Sequence, residues 1–308
     1  MPTAPTMRGP EQLRGLLAAG GVLAPGCFDA FSAHLVQSTG FSAAYISGLA
    51  VEATQFASPD IGLITRPEMV AHASRIVEAI DIPVICDADT GFGDGLQIHK
   101  MVGQFQRAGV AAIHIEDQAS PKGCPTYAPA KVLPLQDARA RVRTALQART
   151  DPNFVIIART DADSVSFDEV VLRSNEYLAE GADLALAPLI YLDGEPLSKQ
   201  GPAKQFEWLS RLAKEVTGPL AGFAIPAGYR ADDMFEAGYA MVIEATTPFR
   251  VAATALLHAL EEFSKTGSLQ RFLVTQPLDP RVVGYELARS LGMEADRRAQ
   301  LSFPARLS

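Results

Sequence analysis

Eight short apolar runs, separated by stretches with helical spacing, most constrain how this chain can fold. Each run is four or five residues long, which suits a buried strand better than a helix. The runs cover residues 21–25, 43–47, 83–86, 112–115, 154–158, 184–187, 219–223 and 240–243. Apolar residues recur at helical spacing in the segments between them, at 66–80, 96–108, 135–148, 168–180, 203–216 and 230–237.

This alternation predicts an α/β protein, and eight such units in a row predict a closed (β/α)8 TIM barrel. The alternative, an open doubly wound sheet, would need a glycine-rich phosphate loop after the first strand. The segment there reads Pro-Gly-Cys-Phe-Asp over residues 25–29, which is not such a loop. Because no linker interrupts the repeat, we expect residues 1–308 to form a single barrel domain.

Two segments lie outside the repeat. Residues 117–134 are long for a connection between a barrel strand and its helix, and long loops at the top of a barrel commonly close over active sites. We therefore expect them to form a gating loop. The tail, residues 268–308, is predicted to be helical and carries apolar residues that a closed barrel does not need. It is predicted to pack against another subunit or, alternatively, against its own barrel.

Composition narrows the classes of partner. The net charge of −8 comes without a basic run, which argues against nucleic acid or an anionic membrane as the main partner. Neither a signal-peptide pattern nor an apolar run long enough to span a bilayer is found in the sequence. The three widely spaced cysteines predict no disulfide framework and no zinc site. We therefore expect a soluble, cytoplasmic protein.

Acidic side chains gather where the predicted strands end. Asp87 and Asp89 follow the third strand, and Glu116 follows the fourth. Because the carboxyl ends of barrel strands meet at one mouth, these acids should lie close together. Carboxylate oxygens of this kind favour Mg²⁺ or Mn²⁺. Asp60 is a further candidate metal ligand. For Asp60, Asp87 and Asp89, the alternative is a structural role in a helix cap or a turn.

Two other strand ends carry polar groups. Tyr45, Ser47 and Gly48 end the second strand, and Arg159 ends the fifth. A guanidinium at the barrel mouth offers a planar fork for a substrate carboxylate. The alternative is a structural ion pair between Arg159 and Asp161.

The cysteines and the strand histidine require separate interpretation. Cys124 lies in the polar gating loop near Lys122, a setting compatible with a reactive thiol, and its catalytic role stays open on this basis. Cys27 and Cys86 are interpreted as small core residues. His114, inside a strand, is interpreted as a satisfied buried histidine.

Taken in order, these motifs resemble the isocitrate lyase and phosphoenolpyruvate mutase superfamily, most closely its methylisocitrate lyase and 2,3-dimethylmalate lyase branch. The resemblance runs from about residue 25 to residue 250. Its motifs read PGCFDA, YISG, PDIG, DADTGFG, HIEDQ and ARTDA, and they begin at residues 25, 45, 59, 87, 114 and 158.

The resemblance implies a barrel whose eighth helix is exchanged between the subunits of a dimer or tetramer. It also implies Mg²⁺, with Mn²⁺ as a possible substitute, bound directly by Asp87. Asp60, Asp89 and Glu116 would hold this ion largely through water.

For the substrate, the resemblance implies a small anionic 2-hydroxy or 2-oxo acid bound to the metal. The backbone of Ser47 and Gly48 would contact this acid together with Arg159, and Lys122 and Arg250 would be further contacts.

The resemblance also assigns proton transfer, and here the sequence departs from the family. Tyr45 matches a candidate base, and Cys124 matches the acid that protonates the departing carbanion.

The lyases carry Lys-(Lys/Arg)-Cys-Gly-His in the gating loop, whereas this chain reads Lys-Gly-Cys-Pro-Thr from Lys122. Pro188 and Gly222 stand where the lyases have a glutamate and an asparagine. The pocket is therefore expected to be less polar and to prefer a smaller or more apolar acid.

Together these features predict a Mg²⁺-dependent carbon–carbon lyase acting on a small 2-hydroxy or 2-oxo polycarboxylic acid through a stabilised enolate or aci-carboxylate. Oxaloacetate-type decarboxylation or C–C hydrolysis is the alternative, because the same site would support it. Phosphonopyruvate chemistry is a weaker candidate, since the loop keeps its cysteine. A non-catalytic dicarboxylate-binding protein is a third reading, opposed by the retained acidic set.

Overall fold

The structure is a computed structural model that describes residues 9–192 and 194–293. The chain falls into two compact units, Met1–Phe249 and Arg250–Ser308. None of the described helices is long and apolar enough to cross a membrane.

The first unit contains a closed barrel of eight parallel strands, which confirms the predicted fold. All eight predicted strands are present, with ends shifted by at most two residues. The barrel strands are β1 Val22–Cys27, β2 Ala44–Ile46, β3 Val84–Asp87, β4 Ala112–Glu116, β5 Val155–Arg159, β6 Leu184–Leu186, β9 Leu220–Phe223 and β10 Met241–Glu244. They follow one another around the barrel in this order, and β10 pairs with β1 to close it. Strands β7 and β8 lie outside the barrel.

The six predicted helices are also present. They are α4 Arg66–Ala79, α5 Gly95–Arg107, α6 Leu135–Ala148, α7 Phe167–Ala179, α8 Pro202–Glu215 and α9 Ala231–Ala237. The sequence interpretation had not placed three helices before them, α1 Gly9–Ala19, α2 Ala30–Ser38 and α3 Gly48–Phe56, nor a short hairpin of β7 Tyr191–Leu192 and β8 Glu195–Pro196.

Alternate residues of the strands face two different cores. One set, which includes Ile85, Ile157 and Leu186, fills the inside of the barrel. The residues between them, such as Cys86 and Ile113, pack outward against the helices. Cys27 belongs to that outer core as well, so Cys27 and Cys86 are core residues as expected.

Helix α1 packs with the inner core through the wholly buried Leu13. Arg14 on the same helix donates to the carbonyl of Asn153, before β5, and pairs with Asp183, before β6, at 2.7 Å. These partners precede their strands, so α1 lies at the amino end of the barrel. The opposite end, where the strand carboxyl termini meet, is left for ligands.

Helix α10, Thr247–Thr266, includes the last residues of the first unit and the first residues of the second, and α11 Gln270–Thr275 and α12 Gly284–Ser290 follow it along the chain. Along α10, apolar side chains are more than half exposed in the chain by itself, namely Val251, Leu256, Leu257, Leu260 and Phe263. The predicted helical tail of residues 268–308 is helical in α11 and α12, and residues 294–308 lie outside the described part.

Candidate active site

The inner positions at the carboxyl ends of four neighbouring strands are polar. Tyr45 on β2, Asp87 on β3, Glu116 on β4 and Arg159 on β5 are each at most 7% exposed. The parallel register sets Glu116 directly opposite Arg159 across β4 and β5, and Asp87 opposite His114 across β3 and β4. The residues that the sequence singled out are therefore brought together at one mouth.

A tight turn after β3 fixes the two aspartates. Asp89 has a positive φ of 47°, a conformation that aspartate tolerates better than most residues. Its N–H donates to Asp87 Oδ1 at 2.9 Å. The N–H of Gly48 reaches Asp87 Oδ2 at 3.3 Å, and a methyl group on that glycine would lie 2.7 Å from the same oxygen. Position 48 therefore has no room for a side chain beside Asp87.

Ser47 begins helix α3 next to this turn. Its side chain accepts from the N–H of Ala50 at 3.4 Å, as an N-cap does. The amino end of α3 thus lies against Asp87, and its partial positive charge favours an anion there.

Asp60 lies in the loop between α3 and α4, and Glu52 holds that loop in place. The carboxylate of Glu52 is wholly buried and accepts from the N–H groups of Ile61 and Ile64, both at 3.1 Å. Glu52 was not among the predicted site residues. By binding the backbone next to Asp60, this glutamate fixes the position of that aspartate.

Lys122 of the gating loop inserts its ammonium among the carboxylates. Its Nζ lies 2.6 Å from Asp60 and 3.9 Å from Glu116, and it also hydrogen-bonds Asp89. The side chain is only 5% exposed. Within residues 9–192 and 194–293, no three His, Cys, Asp or Glu side chains are arranged to hold a metal ion, so these acids surround the lysine instead.

The site holds more carboxylates than cations, since Asp60, Asp87, Asp89, Glu116 and Asp161 lie around Lys122 and Arg159. Burial raises the pKa of Asp87 and of Glu116, and it raises that of Asp89 to about 6. Lys122 and Arg159 lower these pKa values, but not enough to restore the ordinary ones. Both carboxylate oxygens of Glu116 are buried without a hydrogen-bond partner in the described chain, although Arg159 Nη1 lies 3.0 Å from one of them. Hard oxygen donors in such an excess over cations suit a divalent cation.

Arg159 is held by two carboxylates. Its Nε and Nη2 donate to Asp161 Oδ1 at 3.0 and 2.9 Å, and Nη1 faces Glu116. The structural ion pair between Arg159 and Asp161 is therefore present. An arginine has five N–H donors, so this pair leaves donors of the guanidinium for a ligand.

A buried network behind Asp161 keeps this arrangement rigid. Asp117 accepts from Thr160 Oγ1 and Tyr177 Oη, both at 2.7 Å, and from the N–H of Asp161 at 2.9 Å. Arg173 adds an ion pair to the same carboxylate at 3.1 Å. Asp117 was not among the predicted site residues, and it acts by fixing the segment that orients Arg159.

Tyr45 and His114 form a buried pair beside Asp87. Tyr45 Oη lies 2.6 Å from His114 Nε2, and the same nitrogen lies 3.5 Å from Asp87 Oδ1. Burial and the Asp87 carboxylate raise the pKa of Tyr45, and burial with Arg159 lowers that of His114, so both groups are neutral near pH 7. His114 is thus part of the site, and its spacing of two residues from Glu116 was the signal for a shared face.

The base of the gating loop is pinned by backbone hydrogen bonds. Ala119 N–H donates to Lys131 O at 2.7 Å, and Leu133 N–H donates to Asp117 O at 2.9 Å. Beyond this base, Tyr127 is 91% exposed, and Cys124 is partly exposed with its Sγ 3.0 Å from Thr126 Oγ1. The loop is an excursion with fixed ends, as a lid requires.

The prediction that Gly222, on β9, lines the pocket needs a correction. A methyl group on Gly222 would lie 3.0 Å from Met234 Cε and 3.1 Å from Tyr239, both in the outer core, so position 222 faces the helices and does not shape the mouth. The next residue, Phe223, packs against the inner core and faces the mouth instead.

Pro188 and Arg250 have different placements. Pro188 is buried two residues beyond the end of β6, at the carboxyl side of the barrel. Arg250 is exposed on α10 and begins the second unit.

Comparison with known proteins places this architecture in a family. The family model described as phosphoenolpyruvate phosphomutase matches residues 13–264. A carboxyvinyl-carboxyphosphonate phosphorylmutase of Arabidopsis thaliana is 34% identical over 87% of this chain and 78% of its own. The 2,3-dimethylmalate lyase of Eubacterium barkeri is 32% identical over 88% and 92%. A 2-methylisocitrate lyase of Shewanella oneidensis is 32% identical over 81% and 83%.

Solved structures agree with this similarity. A phosphoenolpyruvate phosphomutase from Streptomyces platensis subsp. rosaceus superimposes with a TM-score of 0.83 and 26% identity, over 96% of this chain and 99% of that one. A 2,3-dimethylmalate lyase matches with a TM-score of 0.80, 27% identity and the same coverage. The chain therefore belongs to the phosphoenolpyruvate mutase family, within the superfamily that also contains the isocitrate lyases, and it is an enzyme of the carbon–carbon lyase kind.

Proposed function

We propose that this enzyme is a Mg²⁺-dependent lyase that cleaves a carbon–carbon bond in a small 2-hydroxy or 2-oxo acid. The observation that supports this most is the convergence of four carboxylates on one barrel mouth next to a buried arginine. They are Asp60, Asp87, Asp89 and Glu116. Cleavage beside a carboxylate leaves an enolate or aci-carboxylate, whose charge needs cations in place before it forms.

These four residues would hold the Mg²⁺. Their oxygen donors match its preference, and burial raises the pKa of Asp87, Asp89 and Glu116, so a nearby positive charge would stabilise these three carboxylates. When bound, the ion would supply Lewis-acid stabilisation of charge on the substrate oxygens.

The substrate carboxylate would lie against Arg159 and the amino end of α3. Arg159 keeps its orientation through Asp161, which in turn is fixed by Asp117. The N–H of Gly48 faces Asp87 Oδ2 at 3.3 Å, so the end of the helix and the proposed metal ligand lie side by side. Both the guanidinium and the helix end are positioned before the substrate arrives, so little reorganisation accompanies charge formation.

The buried pair of Tyr45 and His114 would take the proton from a substrate hydroxyl. Tyr45 by itself is a poor base, because burial raises its pKa and favours the phenol. His114 Nε2, at 2.6 Å, would accept the phenol proton while Tyr45 accepts the proton of the substrate. Burial lowers the pKa of His114, and Asp87 Oδ1, 3.5 Å from the same nitrogen, would offset the positive charge formed there. A simple decarboxylation needs no such base, so the pair favours lyase chemistry over the decarboxylase alternative.

The gating loop would supply the final proton and close the site. Lys122 already ties the loop to Asp60 and Asp89, and Cys124 lies two residues further along. We propose that Cys124 protonates the departing carbanion once the loop closes on a bound acid.

The assembly and location are proposed on separate grounds. The exposed apolar face of α10 supports association into a homo-oligomer, a dimer or tetramer, since a face of this kind is costly to leave in water. The three free cysteines support a cytoplasmic location.

A substrate screen tests the proposed function. Purified enzyme with Mg²⁺ is incubated with 2-hydroxy and 2-oxo acids while release of pyruvate or glyoxylate is followed. We expect Mg²⁺-dependent release of an oxo acid from at least one of them, and abolition by EDTA. Tight binding of an acid with no turnover would instead favour a binding protein, and CO₂ as the product would favour the decarboxylase.

A further inference from the structure

The ring of Phe223 forms an aromatic wall at the barrel mouth. It closes strand β9 and faces the same inner core as the site residues. Its ring centre is 5.6 Å from Arg159 Cζ and 5.8 Å from the ring of Tyr45, which it meets edge to face at 87°. The imidazole of His114 is 6.2 Å away at a similar angle. Phe223 therefore contacts the three residues that would bind the substrate carboxylate and move its proton.

The neighbouring strand continues this apolar surface. Strands β6 and β9 are paired with Leu186 opposite Ala221. Phe223 ends β9, and Pro188 is buried two residues beyond the end of β6. The β9 side of the mouth thus presents a phenylalanine, with a buried proline following the neighbouring strand, whereas the side formed by β3 and β4 presents carboxylates.

The cations of the mouth are already engaged on the acidic side. Arg159 pairs with Glu116 and Asp161, and Lys122 pairs with Asp60 and Asp89. A further carboxylate on the substrate, directed at β6 and β9, would have to compete for one of these cations. It would also face the negative π-surface of an aromatic ring or its weakly positive edge, and neither replaces the hydration of a carboxylate.

We propose that Phe223 determines substrate specificity by receiving the apolar substituent of the acid, an alkyl or aryl group, and by excluding acids that carry another carboxylate at that place. This inference rests on the proposed function and names the class of substrate for the same site. Burying each added CH₂ of the substituent against Phe223 should raise the specificity constant about fourfold until the space is filled.

Two variants and a matched control test this inference. Phe223→Asn replaces the wall by a polar amide, and Phe223→Leu keeps it apolar but smaller. Phe206→Leu is the control, because Phe206 is similarly half-buried but packs against the outer core and stacks on Tyr229 at 4.1 Å. Melting temperatures close to that of the wild type are required of each variant before kinetics are compared.

The measurement is the specificity constant, with kcat and KM separated, for acids with substituents growing by one CH₂ and for the analogue ending in a carboxylate. We expect Phe223→Asn to flatten the rise with chain length and to shift the preference at least tenfold towards the carboxylate analogue, mainly through KM. Phe223→Leu should move the optimum to a longer substituent, and Phe206→Leu should change neither. An equal loss for every acid in Phe223→Asn would overturn the inference and assign Phe223 to supporting Arg159.

Failure of the proposed function would be recognised separately. If no acid is turned over, calorimetric binding of the same series with Mg²⁺ gives the dependence on chain length without catalysis. A dependence that is present in wild type and lost in Phe223→Asn would uphold the role of Phe223 while the lyase proposal fails. Turnover with an unchanged dependence in the variant would uphold the lyase and reject the role of Phe223.

Discussion

The two sides of the barrel mouth differ in chemistry although the same kind of strand builds both. On β3 and β4 the inner strand ends carry Asp87 and Glu116, whose pKa values are raised because they are buried. On the opposite side β9 ends in Phe223, and Pro188 is buried two residues beyond the end of β6. The acidic side can hold a cation and stabilise developing charge, whereas the apolar side can only recognise shape and hydrophobicity.

This difference teaches that reaction type and substrate choice are separable here. Arg159 lies between the two sides, paired with Glu116 and 5.6 Å from the ring of Phe223. Substitutions on the acidic side should therefore lower the turnover of every substrate. Substitutions on the apolar side should change which substrates have the highest specificity constants.

The largest effect is expected on the acidic side, from Asp87→Ala. Losing this carboxylate should lower kcat by more than about 10³-fold, because cation stabilisation is worth several kcal/mol in such reactions. The melting temperature of the metal-free protein should be unchanged or higher, since burial already opposes the charge of Asp87. Steady-state kinetics and thermal melts check this, with the exposed Asp81→Ala as control. Full activity of the wild type in EDTA would contradict the metal site.

Between the two sides, Arg159→Lys should cost about 2 to 4 kcal/mol in transition-state stabilisation, because a lysine cannot reproduce the planar fork. The specificity constant for the best substrate measures this loss. The exposed Arg107→Lys should be silent. If Arg159→Lys behaves like wild type, the arginine is only a structural partner of Asp161.

On the loop above both sides, Cys124→Ser should lower kcat by about 10²-fold with little change in KM, the size expected for a lost general acid. Product analysis accompanies the kinetics. Near-normal turnover with release of CO₂ would replace the lyase by a decarboxylase that takes its proton from solvent.

The smallest effect concerns Lys122, whose ammonium lies among the acids that would bind Mg²⁺. Lys122→Met should tighten Mg²⁺ binding by about tenfold, because it removes a competing positive charge from a buried site. Calorimetric titration of the protein without substrate measures it, and Lys131→Met, exposed in the same loop, is the control. Unchanged or weaker binding would show that the lysine and the cation do not compete.

The acidic side was predictable from sequence, and the apolar side was not. Carboxylates that follow an apolar run mark the end of a strand, so Asp87, Asp89 and Glu116 were placed correctly at the mouth. The strand Leu220–Phe223 is apolar throughout because a barrel strand is buried on both faces. Its inward and outward residues are then indistinguishable by pattern, so the sequence offered no check on matching the family's asparagine to Gly222, and Phe223 is the residue that faces the mouth.

Residues that act through others were missed for a related reason. Glu52 and Asp117 make their contacts with backbone and side chains far away in sequence, such as Ile64 and Tyr177. Their roles depend on how the loops pack, and the spacing of residues along the chain does not predict that packing. The helices α2 and α3 were missed because their apolar residues do not form a clear stripe.

The most direct test of this account compares specificity constants, with Mg²⁺ present, for 2-methylisocitrate and for a panel of alkyl-substituted malates and 2-oxo acids. The acidic side predicts that turnover depends on the metal for every substrate. The apolar side, with Pro188 and Phe223, predicts that an alkyl- or aryl-bearing acid exceeds 2-methylisocitrate by several powers of ten, because two or three lost polar contacts cost about 1 to 3 kcal/mol each. If 2-methylisocitrate is the best substrate, at rates typical of a dedicated enzyme, the apolar side does not select the substrate and the account is wrong.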